Sequence, residues 1–256
     1  MIAIDWSGRA RGEADHLWLA EAGPDGLVRL EGGARRREGL VGHLLSLSGE
    51  PVVVGLDFAF SFPAWYVRER GWTAVREVWS AIADEGELLL DEERDPFWGR
   101  SSGQGVPEER RLRATERETG EAAGFRPKSV FQIGGAGAVG TGSLRGMAHL
   151  ARLGERYSVW PFDLPSAARL VEIYPRVLTG PVVKSSRAGR DAYLAEHKLI
   201  ADDVLRERAV GSEDAFDAAV SALVMAEHVR ELDGLEQAAD SDERLEGRIW
   251  RPAAGR

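Results

Sequence analysis

The sequence predicts an α/β protein with one sheet and a helical insertion between its fourth and fifth strands. Three observations lead there: short apolar runs that stop at turn residues, one run that is apolar at every position, and two long helical patterns late in the chain. The first run, IAID (2–5), breaks off before Trp6, Ser7 and Gly8, so Asp5 stands where a strand leaves its sheet. HLWLAEA (16–22) and GLVRL (26–30) flank a Gly-Pro-Asp-Gly turn, and such a pair makes a hairpin. The chain therefore opens as a three-stranded meander. In REGLVGHLLSLSG (37–49), Leu40, Val41, Leu44, Leu45 and Leu47 recur at helical spacing. PVVVGLD (51–57) follows, and a run without alternation implies a strand covered on both faces, as in a parallel sheet. It too ends in an acid, Asp57.

The next hundred residues change character. Positions 65–90 read as helix with a break near Gly71, and Trp65, Trp72 and Trp79 recur every seven residues, a spacing for core packing or a helix interface. Positions 91–128 are polar, Arg-rich and short of apolar anchors, and a Gly-rich run then leads into a helix around 147–153. RLVEIYP (169–175) returns to strand composition, carries Glu172 and is ended by Pro175. An amphipathic helix over 191–208 and a nearly all-apolar one over 214–229 complete the pattern. The chain 1–256 reads as a single domain in which 58–160 is the insertion, helical with Arg-rich and Gly-rich loops.

Composition narrows the chemistry. Without cysteine there is no disulfide framework and no thiolate metal site. No run of about 18 apolar residues and no basic-flanked leader is present, so the expected protein spans no membrane and is cytoplasmic. A net charge of −9 argues against binding nucleic acid through charge alone. The basic residues are concentrated, however: positions 94–156 hold eleven Lys and Arg against seven Asp and Glu.

The acids are placed more tellingly than their number suggests. Asp5 and Asp57 end strands, Glu172 lies within one, and Asp214 and Asp217, three apart, share a face of the last long helix. Ser212 is positioned to cap that helix, which accounts for Asp214 near its positive end but not for Asp217 one turn further in. A buried carboxylate needs a partner, a cation or a proton. A salt bridge to arginine would serve. A shared Mg²⁺ or Mn²⁺ would also serve, since the donors are all oxygen. Two such ions about 3.5 to 4 Å apart can hold an attacking water and a leaving oxygen about one phosphorus. Asp5, Asp57, Asp214 and Asp217 are thus the expected metal ligands, with Glu172 ligating or orienting water.

The words IAIDWSG (2–8), LDFAFSFP (56–63), VEIYPR (171–176), EDAFDAAVSAL (213–223) and GRIWRP (247–252) occur in this order. Together they resemble the RNase H-like superfamily and, within it, a domain-of-unknown-function family of predicted RNase H-like nucleases. The resemblance implies a mixed five-stranded sheet, the first three strands antiparallel and the rest parallel, and metal-dependent phosphodiester hydrolysis of DNA, RNA or a smaller phosphoester. Matched position by position, it points to Asp5, Asp57, Glu172, Asp214 and Asp217. The Arg-rich and Gly-rich parts of the insertion 58–160 have no counterpart in it.

Other motifs compete. GAGAVG (135–140) satisfies G-x-G-x-x-G, yet it follows no first strand of a βαβ unit and no acid lies about twenty residues on in a strand, so it is not a dinucleotide fingerprint. No P-loop is present. FRPKSVFQIGGAGAVGTGSLRG (125–146) instead sets Arg126, Lys128 and Arg145 around backbone that can approach a phosphate, the alternative being a surface loop. The histidines at 16, 43, 149, 197 and 228 show no ligand spacing. Two further functions remain open: a phosphotransferase of the sugar kinase and actin type, suggested by IDWSG and IGGAG, and a non-catalytic module that binds nucleic acid or protein.

Overall fold

The meander forms where the short apolar runs and the Gly-Pro-Asp-Gly turn place it. Ile2–Asp5 (β1) pairs antiparallel with Trp18–Gly23 (β2), which pairs antiparallel with Gly26–Gly32 (β3). Val52–Leu56 (β4) lies parallel to β1, and Ala168–Glu172 (β6) lies parallel to β4. In this computed structural model, which describes residues 1–92, 95–100, 105–135, 137–197 and 200–253, one mixed sheet runs β3-β2-β1-β4-β6-β5. The expected five strands become six because Ser158–Val159 (β5) adds a parallel edge beside β6. Two residues are too few to leave a periodic signal.

Helices cover both faces. Between β3 and β4 lies Arg37–Leu47 (α1). Ala64–Glu69 (α2), Val75–Glu92 (α3), Ala114–Ala123 (α4) and Val139–Leu153 (α5) fall between β4 and β5, where the sequence places its insertion. Leu44 of α1, Val67 of α2, Trp79 of α3 and Met147 of α5 share one core with Ile2, Ile4, Val54, Leu56 and Leu170. The opposite core joins Ala3, Val53, Val171 and Ile173 to the helices that follow β6. Those are Pro175–Thr179 (α6), Arg187–Glu196 (α7), Asp203–Gly211 (α8) and Glu213–Glu227 (α9). The helix expected over 191–208 is therefore two, α7 and α8, with residues 198–199 outside the described set; Asp202 starts α8 by accepting from the Leu205 amide at 2.8 Å. Val229–Asp233 (α10) and Glu243–Glu246 (α11) complete the helices used below. Among the described residues no helix is long and apolar enough to cross a membrane.

Two close approaches fix the frame around the sheet's carboxyl rim. Gly55 admits α9 onto β4, because a Cβ there would lie 2.7 Å from the Met225 sulfur. The Gly-rich run is not a loop throughout: α5 begins inside it, at Val139. A Cβ on Gly8 would lie 2.4 Å from the Gly142 amide, so the turn after β1 rests on the first turn of α5. Ser143 extends this seam by accepting the Ala59 amide at 3.1 Å. Glu246 of α11 caps two insertion helices at once, accepting the Ala64 amide of α2 and the Ala114 amide of α4, each at 2.7 Å.

Candidate active site

Strand parity decides which acids meet. Side chains alternate across a sheet. Asp5 is two residues from Ala3, and Asp57 two from Gly55, so both point to the α9 side, whereas Glu172 shares the parity of Leu170 and points to the insertion side. The Asp57 amide donates to the Ile4 carbonyl at 3.1 Å, which seats Asp57 beside the end of β1. Above them Ser212 caps α9 by accepting the Ala215 amide at 3.0 Å, and the helix brings Asp214 and Asp217 over the strand ends.

These four aspartates act on one another. Burial, followed by the charges of Asp57, Asp217 and Asp214, raises the Asp5 carboxyl well above the usual range. Burial and then Asp217 push Asp57 up to about 8, with Glu172 and Asp214 adding to the rise. Asp217 is raised chiefly by burial, with Asp214 and Glu213 adding to it. In each of the three, Lys184 pulls the other way. Its ammonium donates to Asp217 Oδ2. Arg190, buried in α7, holds the loop that carries Lys184: it donates to the Lys184 carbonyl and twice to the Val210 carbonyl, at 3.0 and 2.7 Å. His16 Nδ1 lies 3.0 Å from Asp214 Oδ2. The other oxygen of Asp217, Oδ1, is buried without a hydrogen-bond partner, in a residue only 7% exposed.

Glu172 keeps different company. Arg113, 1% exposed, donates to Glu172 Oε2 at 2.9 Å and to Oε1 at 2.5 Å, and also to Glu116 Oε1 and the Glu246 carbonyl at 3.0 Å. Glu172 Oε2 further accepts the Phe60 amide at 2.9 Å. Burial alone would lower the Arg113 pKa, but Glu116 and Glu172 together raise it. Glu172 is thus clamped by an arginine, near enough to Asp57 to act on it but not joined to the aspartates.

A cavity of about 190 Å³ opens between these groups, lined by Trp6, Asp57, Phe58, Lys128, Glu172 and Tyr174 among others, with the first turn of α5 at one wall. Of the three expected phosphate contacts only Lys128 lines it. Its stem lies on Gly137, where a Cβ would meet Lys128 Cε at 2.7 Å and where φ is 77°, a left-handed backbone that favours glycine. Arg126 pairs with Glu108 at the surface. Arg145 is taken by Glu87, at 2.7 Å, and by the Gly8 carbonyl. Ala136, within the expected glycine motif, lies outside the described residues.

Among the described residues no three His, Asp or Glu side chains stand ready as a metal-ion ligand set. The partners explain this: Asp217 faces Lys184, Asp214 faces His16, and Glu172 faces Arg113. The donor chemistry nonetheless suits a hard divalent cation. Carboxylate oxygens come from β1, the end of β4 and α9, negative charge exceeds positive, and one buried carboxylate oxygen has no partner. Sequence reasoning missed Lys184, His16, Arg190 and Arg113, because residues in loops and polar runs carry no periodicity. No family model, curated protein or solved structure matches the chain.

Proposed function

We propose that this protein is a Mg²⁺- or Mn²⁺-dependent hydrolase of phosphodiesters, an RNase H-like nuclease. The observation that carries the reading is the meeting of Asp5, Asp57 and Asp217, from the first strand, the end of the fourth and the last long helix, where the Asp57 amide bonds the Ile4 carbonyl and Lys184 acts on all three acids. The strand order, antiparallel through β1, β2 and β3 and parallel from β1 to β4 to β6, supports the resemblance seen in the sequence.

In this reading Asp5 and Asp57 would hold the cations, and Asp217 and Asp214, which face Lys184 and His16, would complete the shell. When bound, the ions lower the pKa of water and neutralise charge on the leaving oxygen. Lys128 and the N-terminal turn of α5 receive the substrate phosphate from the opposite wall. Trp6, Phe58 and Tyr174 narrow the cleft and keep bulk water from the phosphate. Glu172 serves by position, holding Arg113 and the Phe60 amide so that the chain leaving β4 keeps Asp57 in place. Labelled DNA and RNA panels incubated with Mn²⁺, Mg²⁺ or excess chelator test the proposal. Cleavage should need the metal and should drop by at least about a thousandfold in Asp5→Asn and Asp57→Asn. Cleavage that survives chelation, or that these variants retain, defeats it.

A further inference from the structure

A second groove, of about 520 Å³, adjoins the cleft through a pair of touching rings. Its walls include Phe125, Arg176, Val177, Pro181, Arg251 and Pro252, and no Asp or Glu lines it. In a chain of net charge −9 this is a local reversal. Among the described residues neither the Arg176 nor the Arg251 guanidinium has a hydrogen-bond or ion-pair partner. Both arise from the same rim as the acids. Arg176 stands four residues beyond Glu172, at the start of α6, and Arg251 follows Trp250, whose amide donates to the Glu172 carbonyl at 2.8 Å. Between groove and cleft stands a ring pair: Tyr174 lines the cleft, Phe125 lines the groove, and their centroids are 5.3 Å apart at 80°.

A polymer with one phosphate in the cleft would run past these rings onto the two arginines. Arginine pairs with successive phosphates, and aromatic faces stack on bases only where those bases are free of a duplex. From this continuity we infer that the Arg176–Arg251 groove binds the continuation of a single-stranded nucleic acid whose scissile phosphate lies beside Asp57. The inference rests on the nuclease reading and adds the substrate's strandedness and its path.

Fluorescence anisotropy with a short fluorescein-labelled oligothymidylate, in excess EDTA so that nothing is cut, tests it. Arg176→Gln and Arg251→Gln should each weaken binding and reduce the slope of log affinity against log salt by about 0.7, and the double variant by about 1.4. Arg176→Lys should restore the slope, which separates lost charge from misfolding. Arg156→Gln, an exposed change just before β5 and so at the other end of the parallel strands, should alter nothing. A duplex of the same length should bind at least about tenfold more weakly. The groove is overturned if the folded double variant keeps the wild-type slope, if duplex binds as tightly, or if polyglutamate displaces the strand as well as an unlabelled oligonucleotide does. Strand binding without cleavage after Mg²⁺ is restored would keep the groove and remove the nuclease reading. Cleavage with an unchanged slope would do the reverse.

Discussion

At the carboxyl rim of one sheet, two clusters of acids stand on opposite faces and are treated differently. On the insertion side Arg113 lies between Glu172 and Glu116, with every member buried and hydrogen-bonded. On the α9 side Lys184 and His16 hold one oxygen each of Asp217 and Asp214, and the other oxygen of Asp217 is buried with no partner. The first cluster is closed: one arginine serves two glutamates and all four of their oxygens are hydrogen-bonded, so it fixes the chain leaving β4. The second is open: Oδ1 of Asp217 is buried with no hydrogen-bond partner, and burial together with mutual repulsion raises the pKa values of Asp5, Asp57 and Asp217. The two clusters thus differ in whether their buried oxygens are all hydrogen-bonded.

The sharpest way to break this contrast is Arg113→Ala. Removing the cation leaves two buried glutamates unpaired, and a loss of about 3 to 5 kcal/mol is expected in denaturant unfolding. Lys184→Ala should cost much less, since a proton can take the ammonium's place on Asp217. Equal losses would erase the distinction between closed and open.

The open cluster should also show in pH dependence. In the folded protein Asp57 holds its proton up to about 8, against an ordinary 3.8, so the folded state binds a proton that the unfolded chain has released. The metal-free protein should therefore be most stable near pH 4 to 5 and weaken as pH rises towards 8, by at most about 1.4 kcal/mol per pH unit for this group. Asp5 and Asp217 act in the same direction. Thermal melts across this range should flatten in Asp57→Asn and under saturating Mg²⁺; a rise in stability with pH in the metal-free protein would contradict the assignment.

A smaller effect concerns the ammonium as competitor. Direct titration with Mn²⁺ should show about tenfold tighter binding in Lys184→Ala, the factor supplied by removing roughly 1.4 kcal/mol of repulsion. Weaker binding would make Lys184 a helper of the cation instead. The smallest change is at Ser212, whose hydroxyl caps α9: Ser212→Ala should cost about 1 kcal/mol and leave the Mn²⁺ affinity unaltered.

The contrast also explains what was legible beforehand. Asp5, Asp57 and the Asp214–Asp217 pair were readable because each interrupts an apolar pattern. Glu172 looked like a fellow member because it too sits in a strand, but it pairs in register with Leu56, one position short of Asp57, and a single step of register reverses the face. Arg113 lay in a run that looked short of anchors; two glutamates, not apolar neighbours, allow its burial. Lys184 and His16 reach the aspartates from loop and turn segments far away in sequence, across separations of 33 and 198 residues. The Gly-rich run was half understood: its glycines let α5 press against the turn after β1, leaving Lys128 as its contribution to the cleft.

Glu246 carries a consequence for biosynthesis. Its carboxylate caps α2 and α4, and the neighbouring strand-like residue Ile249 bridges to Glu172. On a ribosome those helices emerge some 130 to 180 residues before their cap. The wall of the cleft thus waits, incomplete, for a stretch translated much later, and truncation ahead of Glu246 should yield a chain whose sheet forms while that wall stays loose.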